Sequence, residues 1–302
     1  MKNNDKPSPL DFCSQGSYAM RTMTQHPEKD YDIDDGCYFK KEDLKDEGGA
    51  EMTALEAKQM VHDAVDNGSF KTPPEVCENC VRVYYDAGYH VDIPVYRQIT
   101  EKDIWGNEDV FYELASSDWT RSDARNVTSW FDSENKSQSP DETNGRQLRR
   151  NVRFIKKFAI SRSNWKGKIG SGFLITKLVT EKFQSNLYRE DESLYYTMQA
   201  IRDRLEYDSV VNHPVTPNCT ITKGNDDPKA IFLKNKLSEA IDSLQVLFEL
   251  DCTAEKAAKA WDKVFNTSYF TDKHNQRKNE EKAARIQVIA NTYPTSAKPW
   301  GD

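Results

Sequence analysis

The sequence has little of several features that would each point to a class of protein. It carries 6 Cys in 302 residues, which is too sparse for a disulfide framework. It has no run approaching the roughly 18 consecutive apolar residues of a membrane-spanning helix, so no membrane partner is expected. The stretch Met1–Pro9 is polar and contains no apolar segment, so no signal peptide is visible. Together these features predict a cytoplasmic protein.

The sequence also lacks a basic excess and is not rich in glycine or proline. Its 42 Lys and Arg residues are outnumbered by 49 Asp and Glu, which gives a formal net charge of −7 and argues against strong nucleic-acid binding. The 13 Gly and 12 Pro exclude collagen-like and low-complexity chains. Cys77 and Cys80 form a lone CxxC with no second pair at zinc spacing, so we expect buried thiols rather than a zinc site.

What the sequence does have is a strong separation of charge. Residues 28–56 contain eleven acids against four bases, whereas residues 146–180 contain ten bases and no acid. Within the basic segment, Arg149, Arg153 and Lys156 share one face of a predicted helix. On charge alone the pattern favours two solvated faces, and it also fits a substrate that carries both cations and phosphates.

Alternation and turn signals predict a mixed α/β sheet in the first part of the chain. Residues 30–39 alternate as a strand, and residues 81–85 and 89–96 alternate on either side of a turn, which predicts a hairpin. Between them, Thr53 with Glu56 three residues later forms a capping box that opens a helix predicted to end near residue 68.

Helical periodicity dominates the rest of the chain. Ser122 is the predicted N-cap of a helix, and the polar residues 133–145 predict a loop between two lobes. Beyond that loop, apolar residues recur at helical spacing within 148–159, 237–248 and 254–264. The sequence therefore predicts an α+β protein with a mixed-sheet lobe and a mostly helical second lobe.

The densest carboxylate pattern lies within the first predicted strand of the sheet. Asp32 and Asp34, two residues apart, project from one face of a strand, where they can share a divalent cation. An EF-hand loop starting at Asp30 fails, because Asp35 stands where Gly is needed and Lys41 where the bidentate Glu belongs.

Two further signals accompany this pair of carboxylates. Asp92 offers a third carboxylate on the polar face of a later strand, and three carboxylates on adjacent strands can hold two Mg²⁺ ions about 3.5–4 Å apart. Gly16 and Ser17, upstream, suit a phosphate, because Gly lets the backbone approach closely and Ser adds a hydroxyl donor. A solvated acidic turn and an ordinary Gly-Ser turn remain the alternatives. The order of Gly-Ser, Asp-x-Asp and a later lone Asp is typical of polymerase-β-type nucleotidyltransferases.

Five segments of the chain resemble one family, the cGAS/DncV-like nucleotidyltransferases of bacterial anti-phage signalling. The resemblance runs from about residue 10 to about residue 185. Its segments are Gln15–Tyr18 around the Gly-Ser pair, Asp32–Tyr38, His90–Tyr96, Trp119–Phe131 and the basic stretch Leu148–Lys156.

The resemblance implies a fold and a set of site residues. The expected fold is a polymerase-β-like nucleotidyltransferase lobe over residues 10–132, a helical OAS-like C-terminal lobe over 140–292 and a flexible tail over 293–302. The implied ligands of two Mg²⁺ ions, or of Mn²⁺, are Asp32, Asp34 and Asp92. The implied nucleotide-phosphate contacts are Gly16 and Ser17 from the first lobe, and Lys156 and Ser171 from the second.

The resemblance also implies an activity and partners. Members make a cyclic oligonucleotide second messenger from NTPs, here with ATP and GTP expected and a cyclic GMP-AMP-like dinucleotide favoured, in CBASS anti-phage signalling. The product would act on an operon-encoded effector. Conjugation machinery acting on Gly301 is also implied, although Asp302 follows it. In the family a long helix precedes the Gly-Ser motif, whereas fifteen residues precede Gly16 here.

Two other functions remain open at this point. The chain could add a single NMP to a small molecule, a protein or an RNA end. It could also be a catalytically lapsed sensor or scaffold, although retention of all three Asp residues speaks against that.

Overall fold

The structure is a computed structural model that describes residues 6–24, 32–86 and 88–292. The first two residues of the predicted strand, 30 and 31, lie outside the described residues, as do the predicted tail 293–302 and Gly301. No helix within the described ranges is both long enough and apolar enough to cross a bilayer.

The first part of the described chain forms one mixed sheet. Its eight strands are β1 (Asp11–Gln15), β2 (Asp32–Lys40), β3 (Glu75–Val76), β4 (Val81–Tyr85), β5 (Tyr89–Ile93), β6 (Val95–Lys102), β7 (Glu108–Ala115) and β8 (Trp119–Arg121). The predicted mixed sheet is confirmed, as is the predicted hairpin, because β4 and β5 pair antiparallel.

Strand β2 lies inside the sheet and pairs along both of its edges. On one edge it pairs antiparallel with β1. On the other edge it pairs parallel with β5 and then with β6, in one continuous register: Asp34 faces Asp92 and Cys37 faces Val95. Strands β5 and β6 are thus two halves of one extended segment, divided at Pro94, whose nitrogen carries no hydrogen for the ladder. Beyond them the sheet divides, with β4 and β3 next to β5 and with β7 and β8 next to β6.

A helix between β2 and β3 covers the core of the sheet. The sequence begins it with the predicted capping box, since Thr53 Oγ1 accepts from the Glu56 amide at 3.2 Å and the Glu56 carboxylate accepts from the Thr53 amide at 2.8 Å. This helix, α2, spans Ala54–Val65 and ends three residues before residue 68, near which its end is predicted. It packs Ala57, Met60 and Val61 into a cluster that also contains Phe39 of β2.

The second part of the chain is helical, as predicted. After the short α1 (Gly16–Ala19) in the first part, the helices are α3 (Ala124–Gln138), α4 (Gln147–Ala159), α5 (Gly172–Lys182), α6 (Glu190–Tyr207), α7 (Pro228–Leu244), α8 (Ala254–Phe265) and α9 (Tyr269–Thr292). Leu148, Val152 and Ile155 of α4 are completely buried in the helical core. Met20 and Phe131 join the same core, so the segment after α1 and the helix α3 both pack on the helical side.

Two local predictions around α3 are wrong. The N-cap is Asp123 rather than Ser122, because the Asp123 carboxylate accepts from the Asn126 amide at 3.0 Å. The predicted loop 133–145 is shorter than expected, since α3 continues to Gln138 and residues 139–146 connect it to α4. Asparagine is common in loops, but Asn135 is buried. Its amide caps the start of α4 by donating to the Gly145 carbonyl at 3.2 Å and accepting from the Arg149 amide at 3.0 Å.

The CxxC pair lies in the turn between β3 and β4. The Cys77 amide donates to the Cys80 carbonyl at 2.9 Å, and both thiols are free. Lys58 of α2 is 3% exposed and its ammonium group donates to the carbonyls of Cys77, Glu78 and Ser116 at 3.2, 2.6 and 2.9 Å. Burial lowers the pKa of this ammonium group. One buried cation therefore joins α2 to two turns of the sheet.

Replacing Lys58 by Met is expected to lower the free energy of unfolding by about 2 kcal/mol, because three carbonyl groups lose a charged donor. Denaturant unfolding of the purified protein measures the change. The neighbouring Gln59→Met variant removes an exposed polar group from the same helix and is expected to stay within about 0.5 kcal/mol of the parent. Equal losses in the two variants would contradict this role for Lys58.

Candidate active site

The turn from β1 into α1 brings the backbone against a carboxylate. Gly16 has φ +65°, and a Cβ atom on it would lie 2.2 Å from Asp34 Oδ2. No other residue fits there without moving Asp34, so glycine is required by both the backbone conformation and the space. The predicted phosphate-binding pair Gly16-Ser17 therefore begins a short helix directly beside the predicted metal-binding strand.

A buried hydrogen-bond network holds this turn in place. Gln15, 6% exposed, donates from Nε2 to Tyr96 Oη at 3.2 Å and accepts from Tyr38 Oη at 3.4 Å. The two tyrosine rings stack with centroids 4.6 Å apart. Burial raises the pKa of Tyr96 to about 12, so its phenol remains neutral at physiological pH. The network fixes the residue that precedes Gly16.

The three predicted metal ligands lie at neighbouring positions of the sheet. Asp34 and Asp92 are register partners on parallel strands, which places them on one face. Asp32 pairs in register with His90, and its side chain lies outside the described residues. Asp34 is half-buried and Asp92 is 6% exposed. The sheet thus brings together two carboxylates that are far apart in sequence.

Asp92 is held by an arginine that the sequence did not single out. Arg82, its register partner on β4, donates from Nε and Nη2 to the two carboxylate oxygens, each at 2.7 Å. This hydrogen bonding raises the pKa of Arg82 further above its usual range. Burial, together with the nearby carboxylate of Asp92, raises the pKa of the Cys80 thiol, which therefore stays protonated.

The helical side contributes a buried lysine. Lys156 of α4 is 6% exposed, and its Nζ donates to Thr22 Oγ1 at 2.9 Å, just after α1. Thr22 is completely buried. Ser171, the other predicted phosphate contact, is the N-cap of α5 and accepts from the Leu174 amide at 3.2 Å. The next residue, Gly172, lies against the Lys156 side chain. A Cβ atom on Gly172 would be 3.4 Å from Lys156 Cε.

Some of these residues line a cavity of about 430 Å³ between the sheet and the helices, whereas Asp92 and Ser171 are not part of its wall. Four of the seven predicted site residues line it: Gly16, Ser17, Asp34 and Lys156. The rest of its wall is Gln15, Met20, Ser122, Ala124, Val127, Gly172, Phe173 and His213. A second cavity of about 380 Å³ shares Gln15, Ser122 and His213 with it. The two cavities adjoin at these three residues, and together they are called the cleft below.

The carboxylate pair is suited to a divalent cation. Two carboxylates in register on one face are the hard oxygen donors that Mg²⁺ prefers. Within the described side chains no three His, Cys, Asp or Glu residues come together as a ready ligand set, and Asp32 is not among those side chains. Arg82 already occupies both oxygens of Asp92, so a cation at this position would share or displace that contact.

The remaining arginines of the predicted basic face serve other contacts. Arg149 donates to Asp132 at 2.7 Å, so it pairs locally. Arg153 lines a separate cavity of about 540 Å³ together with Arg150 and Lys157. Sequence reasoning missed Thr22, Arg82 and His213, because neither spacing nor alternation marks a residue whose role depends on its neighbours across the fold.

The chain is similar to known nucleotidyltransferases in sequence and in fold. Residues 10–96 match the family model described as cyclic GMP-AMP synthase DncV-like, nucleotidyltransferase domain. Among solved structures, Vibrio cholerae DncV cyclic AMP-GMP synthase with the linear intermediate 5′ pppA(3′,5′)pG is 21% identical with a TM-score of 0.63, over 84% of this chain and 68% of that one. Escherichia coli DncV bound to 3′-deoxy GTP is 18% identical with a TM-score of 0.62, over the same shares of the two chains.

A third similar structure covers both chains more evenly. The Bradyrhizobium diazoefficiens CD-NTase CdnG in complex with GTP is 14% identical, with a TM-score of 0.57 over 86% of each chain. At these identities the solved structures establish the fold. The predicted fold class, a polymerase-β-like lobe with a helical second lobe, is confirmed, and so is the resemblance to the cGAS/DncV-like family.

Replacing Gly16 by Ala should destabilise the protein more than the same change at Gly68. Both glycines have positive φ, +65° and +73°, but no atom lies within 4 Å of the would-be Cβ of Gly68. Gly68→Ala is expected to cost about 1 kcal/mol of backbone strain. Gly16→Ala should cost about 1–2 kcal/mol more, because Asp34 must move. Equal losses in denaturant unfolding would show that Asp34 yields freely.

Replacing Arg82 by Met should destabilise the protein by about 2 kcal/mol, because the buried carboxylate of Asp92 loses its partner. The Arg82 side chain is 30% exposed, which keeps the expected loss below that of a fully buried pair. In the double variant Arg82→Met with Asp92→Asn, the unpaired charge is gone and part of the stability should return. A double variant whose loss equals the sum of the single losses would contradict the coupling.

Proposed function

We propose that this chain, a cGAS/DncV-like nucleotidyltransferase in fold and in the sequence of residues 10–96, joins NTPs into a cyclic oligonucleotide. The observation that carries the proposal is the cavity of about 430 Å³. It is lined by the Gly16-Ser17 turn, a carboxylate of β2 and a lysine of α4. Residues more than a hundred positions apart line this one cavity, which supports a nucleoside triphosphate as its ligand.

The two walls of the cavity have complementary tasks. At the Gly16-Ser17 turn the close-lying backbone and the Ser17 hydroxyl suit the phosphates of the donor nucleotide. From α4, the positive charge of Lys156 suits the same triphosphate. Thr22 holds the ammonium group in position, so the contact is prepared before substrate enters. Ser171, the N-cap of α5 next to the cavity residue Gly172, is the further proposed phosphate contact.

Asp32, Asp34 and Asp92 are the proposed holders of two divalent ions, Mg²⁺ or Mn²⁺. Bound there, the metal would lower the pKa of the attacking hydroxyl and neutralise charge on the leaving pyrophosphate. Arg82 keeps the third carboxylate oriented and its charge compensated. The position of Gly16 keeps the phosphate-binding turn in contact with Asp34.

The proposed reaction proceeds by in-line displacement at phosphorus. A ribose hydroxyl of one nucleotide attacks the α-phosphorus of the other, a new P–O bond forms, the bond to pyrophosphate breaks and the hydroxyl proton is released. The linear product then binds again for ring closure. DncV in a similar structure is bound to the linear intermediate 5′ pppA(3′,5′)pG, and another structure of that protein contains ATP and GTP. Those complexes support ATP and GTP as substrates here, with a cyclic GMP-AMP-like product.

The wider setting is also part of the proposal. We assign residues 10–132 to the catalytic lobe, 140–292 to the OAS-like helical lobe and 293–302 to a tail. The product would activate an operon-encoded effector in CBASS anti-phage signalling in the cytoplasm, and conjugation through Gly301 would act on the tail. The family likeness of residues 10–96 supports the catalytic lobe. The other assignments rest on the resemblance of the sequence to the family.

Purified protein incubated with labelled ATP, GTP and Mg²⁺ should yield a phosphatase-resistant product with the mass of a cyclic oligonucleotide. Asp34→Asn and Asp92→Asn should each lower its rate at least about a hundredfold, because each removes a charge from the proposed metal site. Asp35→Asn is the matched control, since the neighbouring residue points to the other face of β2 and accepts from Ser14 at 3.2 Å. It should keep the parent rate.

Three outcomes would contradict parts of this proposal. Label on a protein, an RNA end or a small molecule would indicate transfer of a single NMP. A complete lack of incorporation by the folded parent protein, with Mg²⁺ or Mn²⁺, would favour a sensor or scaffold. Unchanged product formation by Asp92→Asn would remove Asp92 from the metal site.

A further inference from the structure

His213 lies where the two cavities of the cleft meet. It lines both of them. Of the three residues that the two cavities share, His213 is the one from the helical part of the chain. The other two shared residues, Gln15 and Ser122, belong to the sheet side. The cavity of about 430 Å³ is called the phosphate-binding cavity below, and a nucleotide that occupied it together with the second cavity would lie beside His213.

The loop that carries His213 is held firmly. The His213 amide donates to the Cys219 carbonyl at 2.8 Å, and the Ile221 amide donates to the Val211 carbonyl at 2.7 Å. Val211 is completely buried, and its amide donates to Thr222 Oγ1 at 2.9 Å. Residues 211–221 therefore form a narrow loop closed by backbone hydrogen bonds. Its members Thr216 and Cys219 line the second cavity.

The two ring nitrogens of His213 have different surroundings. Nδ1 accepts from the amides of Thr216 at 2.9 Å and Val215 at 3.3 Å, so it carries no proton. The hydrogen of the neutral ring is then on Nε2. Burial lowers the pKa of His213, which favours this neutral form. Nε2 has no protein partner among the described residues and is not sealed from solvent.

Phe173 completes the local wall. The centroids of the Phe173 and His213 rings are 5.3 Å apart, and the ring planes are tilted by 54°. Phe173 follows Gly172 in the chain and also lines the phosphate-binding cavity. Flat aromatic groups beside a hydrogen-bond donor suit the base or ribose of a nucleotide, whereas the phosphates belong beside Lys156 and Gly16.

We propose that residues 211–221 form a nucleotide-binding loop in which His213 donates a hydrogen bond from Nε2–H to the ribose or base of the nucleotide that spans the two cavities. This inference rests on the proposed function. The ligand class is a nucleoside triphosphate or the linear dinucleotide made from it. His213 acts by binding and orientation, with no proton transfer assigned to it.

The test separates the two ring nitrogens. His213→Asn keeps an acceptor, Oδ1, near the position of Nδ1 for the amides of residues 215 and 216, and removes Nε2. His213→Gln extends an amide donor toward the position of Nε2. Isothermal titration with non-hydrolysable ATP and GTP analogues and Mg²⁺ measures binding without turnover, and thermal unfolding measures stability.

His213→Asn should bind at least one analogue about tenfold more weakly, in line with the loss of one hydrogen bond, at an unchanged melting temperature. His213→Gln should recover binding to within about threefold of the parent. Parent-like affinity of His213→Asn for both analogues would overturn the inference alone. The inference would also be overturned if His213→Asn bound weakly at a lowered melting temperature and His213→Gln did not restore that temperature. A parent protein that binds neither analogue would contradict the proposed function as well.

Discussion

The parallel register between β2 and the segment Tyr89–Lys102 is the constraint on which the site depends. One register runs past Pro94 without a shift and sets Asp34 opposite Asp92. A slip by one residue would turn one of these carboxylates to the other face of the sheet. The same register places Tyr96 next to Tyr38, under Gln15, and so fixes the turn at Gly16. The carboxylates and the turn at Gly16 are therefore positioned by one set of backbone hydrogen bonds.

The cleft also needs the helical part, and two cations join the halves. Lys156 reaches from α4 to Thr22, and both groups are almost completely buried. Arg125 of α3 lies 3.9 Å above the Tyr38 ring and forms an ion pair with Asp11 at 3.1 Å. These contacts set how α3 and α4 approach the sheet. Since Lys156 is also the proposed phosphate contact, the interface between the halves and the nucleotide site cannot be altered independently.

Local patterns in the sequence predicted those helices and strands that bury one face. Alternation located β2, the capping box located α2 and apolar periodicity located α4, because each reflects burial of one face of a single element. Asn135 contributed to the wrong prediction of a loop over 133–145, because asparagine is common in loops but here forms a buried cap of α4. The partner of Asp92 could not be predicted, because Arg82 reaches it only through hairpin register. The role of His213 could not be predicted either. Its tautomer depends on two backbone amides of a folded loop, and its position depends on the facing residues of the sheet side.

The wide separation of β2 from its parallel partner has a consequence for the nascent chain. At about 5–20 residues per second, Asp92 is synthesised several seconds after Asp34. Strand β1 is available to pair with β2 at once, but the opposite edge of β2 has no partner during that interval. An open strand edge invites pairing with other chains, and charged side chains along it discourage such pairing. The aspartates of β2, which are the proposed metal ligands, would by this principle also discourage such pairing while the protein is being made.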